Sequence, residues 1–348
     1  MPPAPDDPTD AASRSGNAEL ALLEEVADFA FPNSSVVDIA RLSGESRFVV
    51  GAVSTAEDER FVLKCAPNGI PESNLRREAT VTNVVGQRTE VPVAEIVDAK
   101  FEPTEAPVPF VLFRWVDGRT LEESLAGPAG SLPAGVFGAL GETMAALHLE
   151  TPHDAPGRIV PTGPDAYDVA PERSWPEAFG RELADHVEHL VGSRFEPLAE
   201  ELWTDISDRL RTLDTDDPPV LLHGDFGEGN VVYDGQTVSG VLDWEHAFVG
   251  HPEYDLCRAE VRYFWSQWGR RDAAASMLYA GYRSRRDLAD GFDRRRPLYL
   301  ATFYLMSLAR FGDWAPRYTD DLNAFASAVA DNVRGVLEMD DGPDTTIK

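Results

Sequence analysis

Cysteine is scarce in this chain, with two among 348 residues, Cys65 and Cys257, each set inside an apolar run. Two cysteines build neither a disulfide framework nor a cysteine-rich zinc site, and a reducing, cytoplasmic setting is the expectation. Lysine is nearly as rare: it stands only at Lys64, Lys100 and Lys348, so 28 of the 31 basic residues are arginine. A basic excess is missing altogether. Sixty acidic residues leave a net charge of −29 and a sequence pI near 4.5, which opposes nucleic acid and anionic membrane as partners. No apolar stretch reaches the length that crosses a bilayer, and MPPAPDDPTDAASRSGN lacks the basic start and apolar core of a signal peptide, so a soluble protein is expected. The pattern GxxxxGK[ST] is absent too, which excludes a P-loop nucleotide site.

What is present is a globular chain, 43% hydrophobic, with length enough for two lobes. The acidic, lysine-poor balance resembles that of proteins from salt-adapted, halophilic organisms. By composition, residues 1–17 and 341–348 read as disordered ends. From Ala18, AELALLEEVADF has helical periodicity. VVDIARLSG, SRFVVGAVS and RFVLKCAP then read as antiparallel strands. Ser73 looks like the N-cap of the helix NLRREATVTNVVG, closed by Gly86, and VPVAEIVDA and PFVLFRWVDG add two strands. This makes a five-stranded β-rich lobe with one helix over 18–113, followed by a connector at 114–119. From 120 to 340 the pattern turns mainly helical, and strand-like runs return only near 220–243. The fold class is α+β.

The stretch LLHGDFGEGNVVYDG presses polar residues between apolar runs, where unpaired polar groups are costly to bury. Asp225 follows His223 by two residues, Asn230 follows Asp225 by five, and VSGVLDWE then delivers Asp243. These oxygen donors suit Mg²⁺, and a carboxylate beside such a metal can orient a hydroxyl and accept its proton. A β-hairpin with polar turn residues is the plainer alternative. A histidine-based metal centre, as in a metallophosphoesterase, is disfavoured: no DxH precedes the segment, and His223, His246 and His251 are too widely spaced. In the first half, alternation sets Phe61, Leu63 and Cys65 on one face of a strand and Val62, Lys64 and Ala66 on the other. A strand lysine flanked by apolar residues calls for a partner. Glu78, on one stripe with Leu75 and Thr82, offers itself, although Arg76 and Arg77 could neutralise it on a solvated face.

HGDFGEGN followed by VLDWE is similar to the catalytic segment of the aminoglycoside phosphotransferase family, small-molecule kinases with a two-lobed protein-kinase-like fold. The resemblance extends over about residues 36 to 260. It implies Asp225 as catalytic base, and Asn230 and Asp243 as holders of Mg²⁺. His223 then orients the loop, and Asp255, in GHPEYDL, steadies it. The resemblance further implies that Lys64 grips ATP phosphates while paired with Glu78, that the turn at Gly44 and Ser46 covers the nucleotide, and that backbone groups of Arg114, Trp115 and Val116 read the adenine. Gly224 replaces the arginine of the protein-kinase HRD motif, so no activation-loop phosphate clamp is implied.

The implied partners are ATP and a small-molecule hydroxyl acceptor, in a monomer or weak homodimer. A regulatory pseudokinase that binds nucleotide without transferring phosphate is the alternative. For the acceptor, Glu253 and Glu260 would suit a cationic aminoglycoside. RSWPEAFGREL resembles a helix insert of macrolide and fructosamine kinases, leaving choline, amino sugar, homoserine and antibiotic hydroxyls open. RSRRDLADGFDRRR, interleaved with Asp287, Asp290 and Asp293, reads as a solvated ion-paired face, and Trp265 and Trp268 read as core. His148, His153, His186 and His189 read as helix-surface or loop residues.

Overall fold

The computed structural model describes residues 8–338 apart from 43–46, 103, 127–131, 133–134, 214–216, 267–270 and 318. The chain opens with α1 (Pro8–Ala30), then β1 (Val36–Arg41), β2 (Val49–Thr55), β3 (Arg60–Cys65), α2 (Ser73–Arg88), β4 (Ile96–Lys100) and β5 (Phe110–Arg114). The five strands form one antiparallel sheet in the order β1-β2-β3-β5-β4. Period-two alternation decides what each face covers. Phe61, Leu63 and Cys65 pack with Val49 and Val53 against Leu23, Val26 and Ala27 of α1. On the opposite face, Ala66, Val111 and Phe113 pack with Leu75 and Ala79 of α2.

Three helix ends differ from the sequence expectation. α1 starts at Pro8, upstream of Ala18. α2 begins with Ser73 itself, after Glu72 and without a side-chain cap, and runs past Gly86 to Arg88. A Cβ at residue 86 would lie 2.8 Å from Val93 Cγ2. Gly86 therefore serves close packing, and the helix stops where Thr89 turns extended.

β6 (Arg119–Thr120) leads into α3 (Leu121–Ala126), α4 (Val136–Glu150), β7 (Gly157–Gly163), β8 (Ala166–Pro171), α5 (Trp175–Glu188) and α6 (Glu196–Arg211). Then come β9 (Val220–Leu222), β10 (Val231–Tyr233), β11 (Val238–Val241), β12 (Phe248–Gly250), α7 (Glu253–Ser266), α8 (Arg271–Arg283), α9 (Phe292–Leu308), α10 (Phe311–Trp314) and α11 (Leu322–Glu338). Two small sheets, β11-β10-β6 and β8-β7-β12-β9, lie among these helices. The β7–β8 hairpin corrects the expectation that strands return only after 220. Pro161, Pro164 and Pro171 hide it, because proline demotes a strand reading, while pairing of Arg158 with Phe248 in β12 supplies its ladder. Its turn also reaches the first lobe, with Thr80 Oγ1 donating to Gly163 O and Asn83 Nδ2 to Pro164 O.

Among the described residues no helix is long and apolar enough to cross a membrane. The side chains of Trp265 and Trp268 lie outside the described residues.

Helices α4 and α8 meet through glycine. A Cβ on Gly281 would stand 2.0 Å from Gly138 O, and one on Gly141 would stand 2.1 Å from Leu278 O, contacts that only a backbone shift relieves. Gly281→Ala is expected to destabilise the fold by about 3 kcal/mol. Gly180→Ala, on α5 with nothing within 4 Å of the new carbon, is expected to stabilise it by about 0.5–1 kcal/mol through helix propensity. Denaturant titration of both variants checks the pair, and equal effects would refute the packing account.

Candidate active site

The centre of the site is the ammonium of Lys64. Its β3 position puts it on the α2 side of the sheet, where Nζ donates to Glu78 Oε2 at 2.7 Å and to Asp243 Oδ1 at 2.7 Å. The residue is 6% exposed and Glu78 3%, so the charges are dry and their geometry is enforced. Glu78 pairs with Lys64 and not with Arg76 or Arg77, which bind Glu102 and Asn74. Burial works against a charged lysine, but Glu78 and Asp243 together outweigh it and hold the amine above its ordinary pKa. Glu78 shares its cation with a second carboxylate. Burial drives its pKa up to about 7, against the pull of Lys64 and with repulsion from Asp243.

Asp243 follows β11 and has φ 64°, a left-handed conformation rare for a residue with a side chain. Such strain persists only where surroundings impose it. Here Leu242 N donates to Asn230 O at 2.8 Å, and Leu242 O accepts from His223 Nε2 at 2.9 Å. His223 Nδ1 accepts from Asp225 N at 3.1 Å. Only a neutral ring carrying its proton on Nε2 satisfies both bonds, in keeping with burial lowering this histidine's pKa.

The loop from His223 to Asn230 is held from below by Asp255 on α7, whose carboxylate accepts from His223 N at 2.8 Å and Gly224 N at 2.9 Å. Gly224 has φ 78°, and a Cβ there would meet His246 O at 2.6 Å. Any other residue is therefore excluded. His148 is not a surface residue. It is 2% exposed and ties Tyr282 Oη (3.0 Å from Nδ1) to Asp255 (3.5 Å from Nε2). Its helix carries apolar and small residues on most of its faces, which blurs the periodicity that would have marked it as buried.

Asp225 lies at the end of this scaffold. Asn230 Nδ2 donates to its backbone oxygen at 2.9 Å and to its Oδ2 at 3.3 Å, which leaves the amide oxygen of Asn230 as its available donor atom. Burial would raise the carboxyl of Asp225, but Arg262 and Arg258 bring it below its ordinary value. The two arginines were not legible as site residues; the only signal was their i,i+4 spacing after the DL of GHPEYDL.

A cleft of about 570 Å³ opens above Lys64, a size suited to a small-molecule ligand. Val50, Val62, Phe113, Val116 and Leu242 make an apolar slot, and Lys64, Glu78, Asn230 and Asp243 line its polar end. Arg114 and Trp115 also border it. The backbone N–H of Arg114 is taken by Glu95 O and that of Trp115 by Arg60 O. The Arg114 side chain turns to Glu59 and Glu95, while the Arg60 guanidinium lies 3.7 Å from the Trp115 ring centroid. Gly44 and Ser46 lie outside the described residues.

Glu253 and Glu260 do not face this cleft. They are 1% and 4% exposed and pair with Arg295 and Arg296, so these two arginines of the basic stretch are buried partners and not a solvated face. Cys65 and Cys257 are both free and buried.

A strand lysine bonded to a helix glutamate and to an aspartate of the second lobe, beneath a five-stranded sheet, defines the protein-kinase-like fold. The chain belongs to the phosphotransferase enzyme family, whose model matches residues 11–298. It is similar to mouse (Mus musculus) ketosamine-3-kinase, 32% identical over 148 residues, 40% of this chain and 43% of that protein. It is also similar to hygromycin-B 4-O-kinase of Escherichia coli, 26% identical over 180 residues, 51% of this chain and 49% of that one. The chain thus spans less than half the length of these two curated relatives. In fold it resembles a thermostable mutant of aminoglycoside phosphotransferase APH(4)-Ia solved in a ternary complex with AMP-PNP and hygromycin B. That likeness has a TM-score of 0.61 and 18% identity, covering 90% of this chain and 98% of the other.

Proposed function

We propose that the protein is an ATP-dependent small-molecule kinase that transfers the γ-phosphoryl group to an alcohol. The observation that carries this is the single ammonium of Lys64, bonded at 2.7 Å to Glu78 and at 2.7 Å to Asp243 at the polar end of an apolar cleft. Adenine takes the slot between Val50, Val62, Phe113 and Leu242, with the N–H of Val116 as reader, since those of Arg114 and Trp115 are already used. Lys64 holds phosphate oxygens. Asp225 orients the acceptor hydroxyl and takes its proton.

The donor set fits Mg²⁺. Asn230 Oδ1 and the Asp243 carboxylate give two hard oxygens, and a magnesium ion of this kind completes its shell with phosphates and water. When bound it neutralises phosphate charge. Family membership and the fold likeness to a phosphotransferase that binds AMP-PNP support the reading. The pseudokinase alternative has no observation in its favour.

Calorimetric titration with ADP, with and without Mg²⁺, tests the metal assignment. Magnesium is expected to tighten ADP binding by about tenfold or more, and Asp243→Ala to abolish that gain while leaving metal-free binding near its original value. An Asp243→Ala protein with an undiminished magnesium effect removes this residue from the metal site.

A further inference from the structure

Arg258 and Arg262 project from one face of α7, at i and i+4, onto the carboxylate of Asp225. Arg258 Nε stands 3.9 Å and Arg262 Nε 3.6 Å from the same oxygen, Oδ1. Neither distance is a hydrogen bond. Asp225 Oδ1 and Arg258 Nε are buried polar atoms with no hydrogen-bond partner among the described residues, and such atoms in a folded protein call for an account. The 3.9 Å gap has room for one oxygen at ordinary hydrogen-bond length, about 2.8 Å from each atom. Such an oxygen must donate to Oδ1 and accept from Nε–H, which a hydroxyl does and an ammonium does not.

Both guanidiniums are held in place. Arg258 Nη1 donates to Tyr254 Oη at 2.9 Å, and Tyr254 donates to Glu182 Oε1 at 2.7 Å, which fixes the far end of Arg258 and keeps its Nε on the side of Asp225. Arg262 lies over Gly227, where a Cβ would stand 2.6 Å from Nη2 and 3.1 Å from Nε. The glycine is the seat of the arginine. The Arg262 side chain is 47% exposed, so its charge faces outward beside the reacting carboxylate. In a chain of net charge −29, this sets a half-exposed guanidinium beside the position where an alcohol is to be received.

We infer that Arg258 and Arg262 form an acceptor subsite for an anionic alcohol. Arg258 positions the hydroxyl against Asp225, and Arg262 binds a carboxylate or phosphate carried by the same molecule. A polyamine antibiotic would set ammonium groups against Arg262 and is disfavoured. The inference rests on the kinase reading. The acceptor O–H gives its proton to Asp225, and its oxygen forms a bond to the γ-phosphorus of ATP. The bond from that phosphorus to the β–γ bridging oxygen breaks, and its electron pair leaves with ADP.

The test is ADP release by the full chain from MgATP with three probe sets, alongside direct titration of MgATP. The first set is glycerate, 3-hydroxybutyrate and gluconate; the second, glycerol 3-phosphate and glucose 6-phosphate; the third, hygromycin B and kanamycin. Transfer to a member of the first or second set is expected, and the set identifies the anion. For that acceptor, Arg262→Gln should raise KM by about 30-fold, the size of a lost charged hydrogen bond. Its KM for MgATP should stay near wild type. Arg262→Lys should recover much of the loss, and Gly227→Ala, which displaces the guanidinium, should follow Arg262→Gln. Three results overturn the subsite: a cationic antibiotic used with higher kcat/KM than every anionic probe, an anionic acceptor whose KM ignores Arg262→Gln, or no transfer to any anionic probe while MgATP binds. Absence of MgATP binding would instead sink the kinase reading itself.

Discussion

Asp225→Asn is expected to lower kcat by about 10³-fold while MgATP affinity stays within about twofold of wild type. General-base help contributes roughly 10²–10⁴-fold in enzymes, and in phosphoryl transfer most of the remainder comes from positioning and charge neutralisation. The asparagine keeps the shape that fits between Asn230 and Arg258, so the loop stays in place; what it loses is the acceptor for a proton. Nucleotide affinity should survive because Asp225 does not line the cleft, whose polar end is formed by Lys64, Glu78, Asn230 and Asp243. Removing the carboxylate also takes a buried anion away from beside Arg258 and Arg262, so a stability loss of about 1–3 kcal/mol accompanies the change. The expected signature is thus a kcat effect with an unmoved nucleotide Kd. Turnover within tenfold of wild type, in a folded variant, would take the base assignment away from this residue.

Much of this arrangement was legible in the sequence. The alternation around Lys64 separated the two faces of β3, and the structure puts Phe61, Leu63 and Cys65 under α1 while Lys64 meets Glu78. The spacing through Asp225, Asn230 and Asp243 was legible because a loop tied at both ends by strands leaves few ways to converge. What was illegible shares one cause: the partners are far apart in sequence. Glu253 and Glu260 looked like exposed acids because Arg295 and Arg296, which bury them, stand a helix and a loop away. His148 looked like surface because its partners, Tyr282 and Asp255, lie 134 and 107 residues downstream. Gly227 carried no signal of its own in the sequence, and its reason is a guanidinium from α7. The β7–β8 hairpin was lost because its prolines weaken local strand preference, while its pairing with β12 is non-local.

Lys64→Met is expected to reduce kcat/KM by about 10³-fold or more and to destabilise the fold by about 3–5 kcal/mol, because removing one member of a buried ion cluster leaves the others uncompensated. Glu78 and Asp243 then face each other without a cation. The stability loss should depend on pH in a definite direction. The carboxyl of Glu78 already sits at about 7 beside Lys64, and deletion of the lysine removes the influence that lowers it. Its folded pKa therefore rises further above the unfolded value of about 4.3. A carboxyl with a raised folded pKa binds its proton more tightly in the native state, so the penalty is full above the folded pKa and is relieved as pH falls through it. Denaturant midpoints should accordingly show Lys64→Met closest to wild type near pH 5 and further from it near pH 8, as the buried carboxyl begins to lose its proton. Adding Glu78→Gln should restore stability at pH 8 without restoring turnover, since the phosphate-holding ammonium is still missing. A Lys64→Met protein whose deficit is the same at both pH values would show that Glu78 does not carry the strain. A double variant that regained catalysis would show that the lysine serves the fold alone.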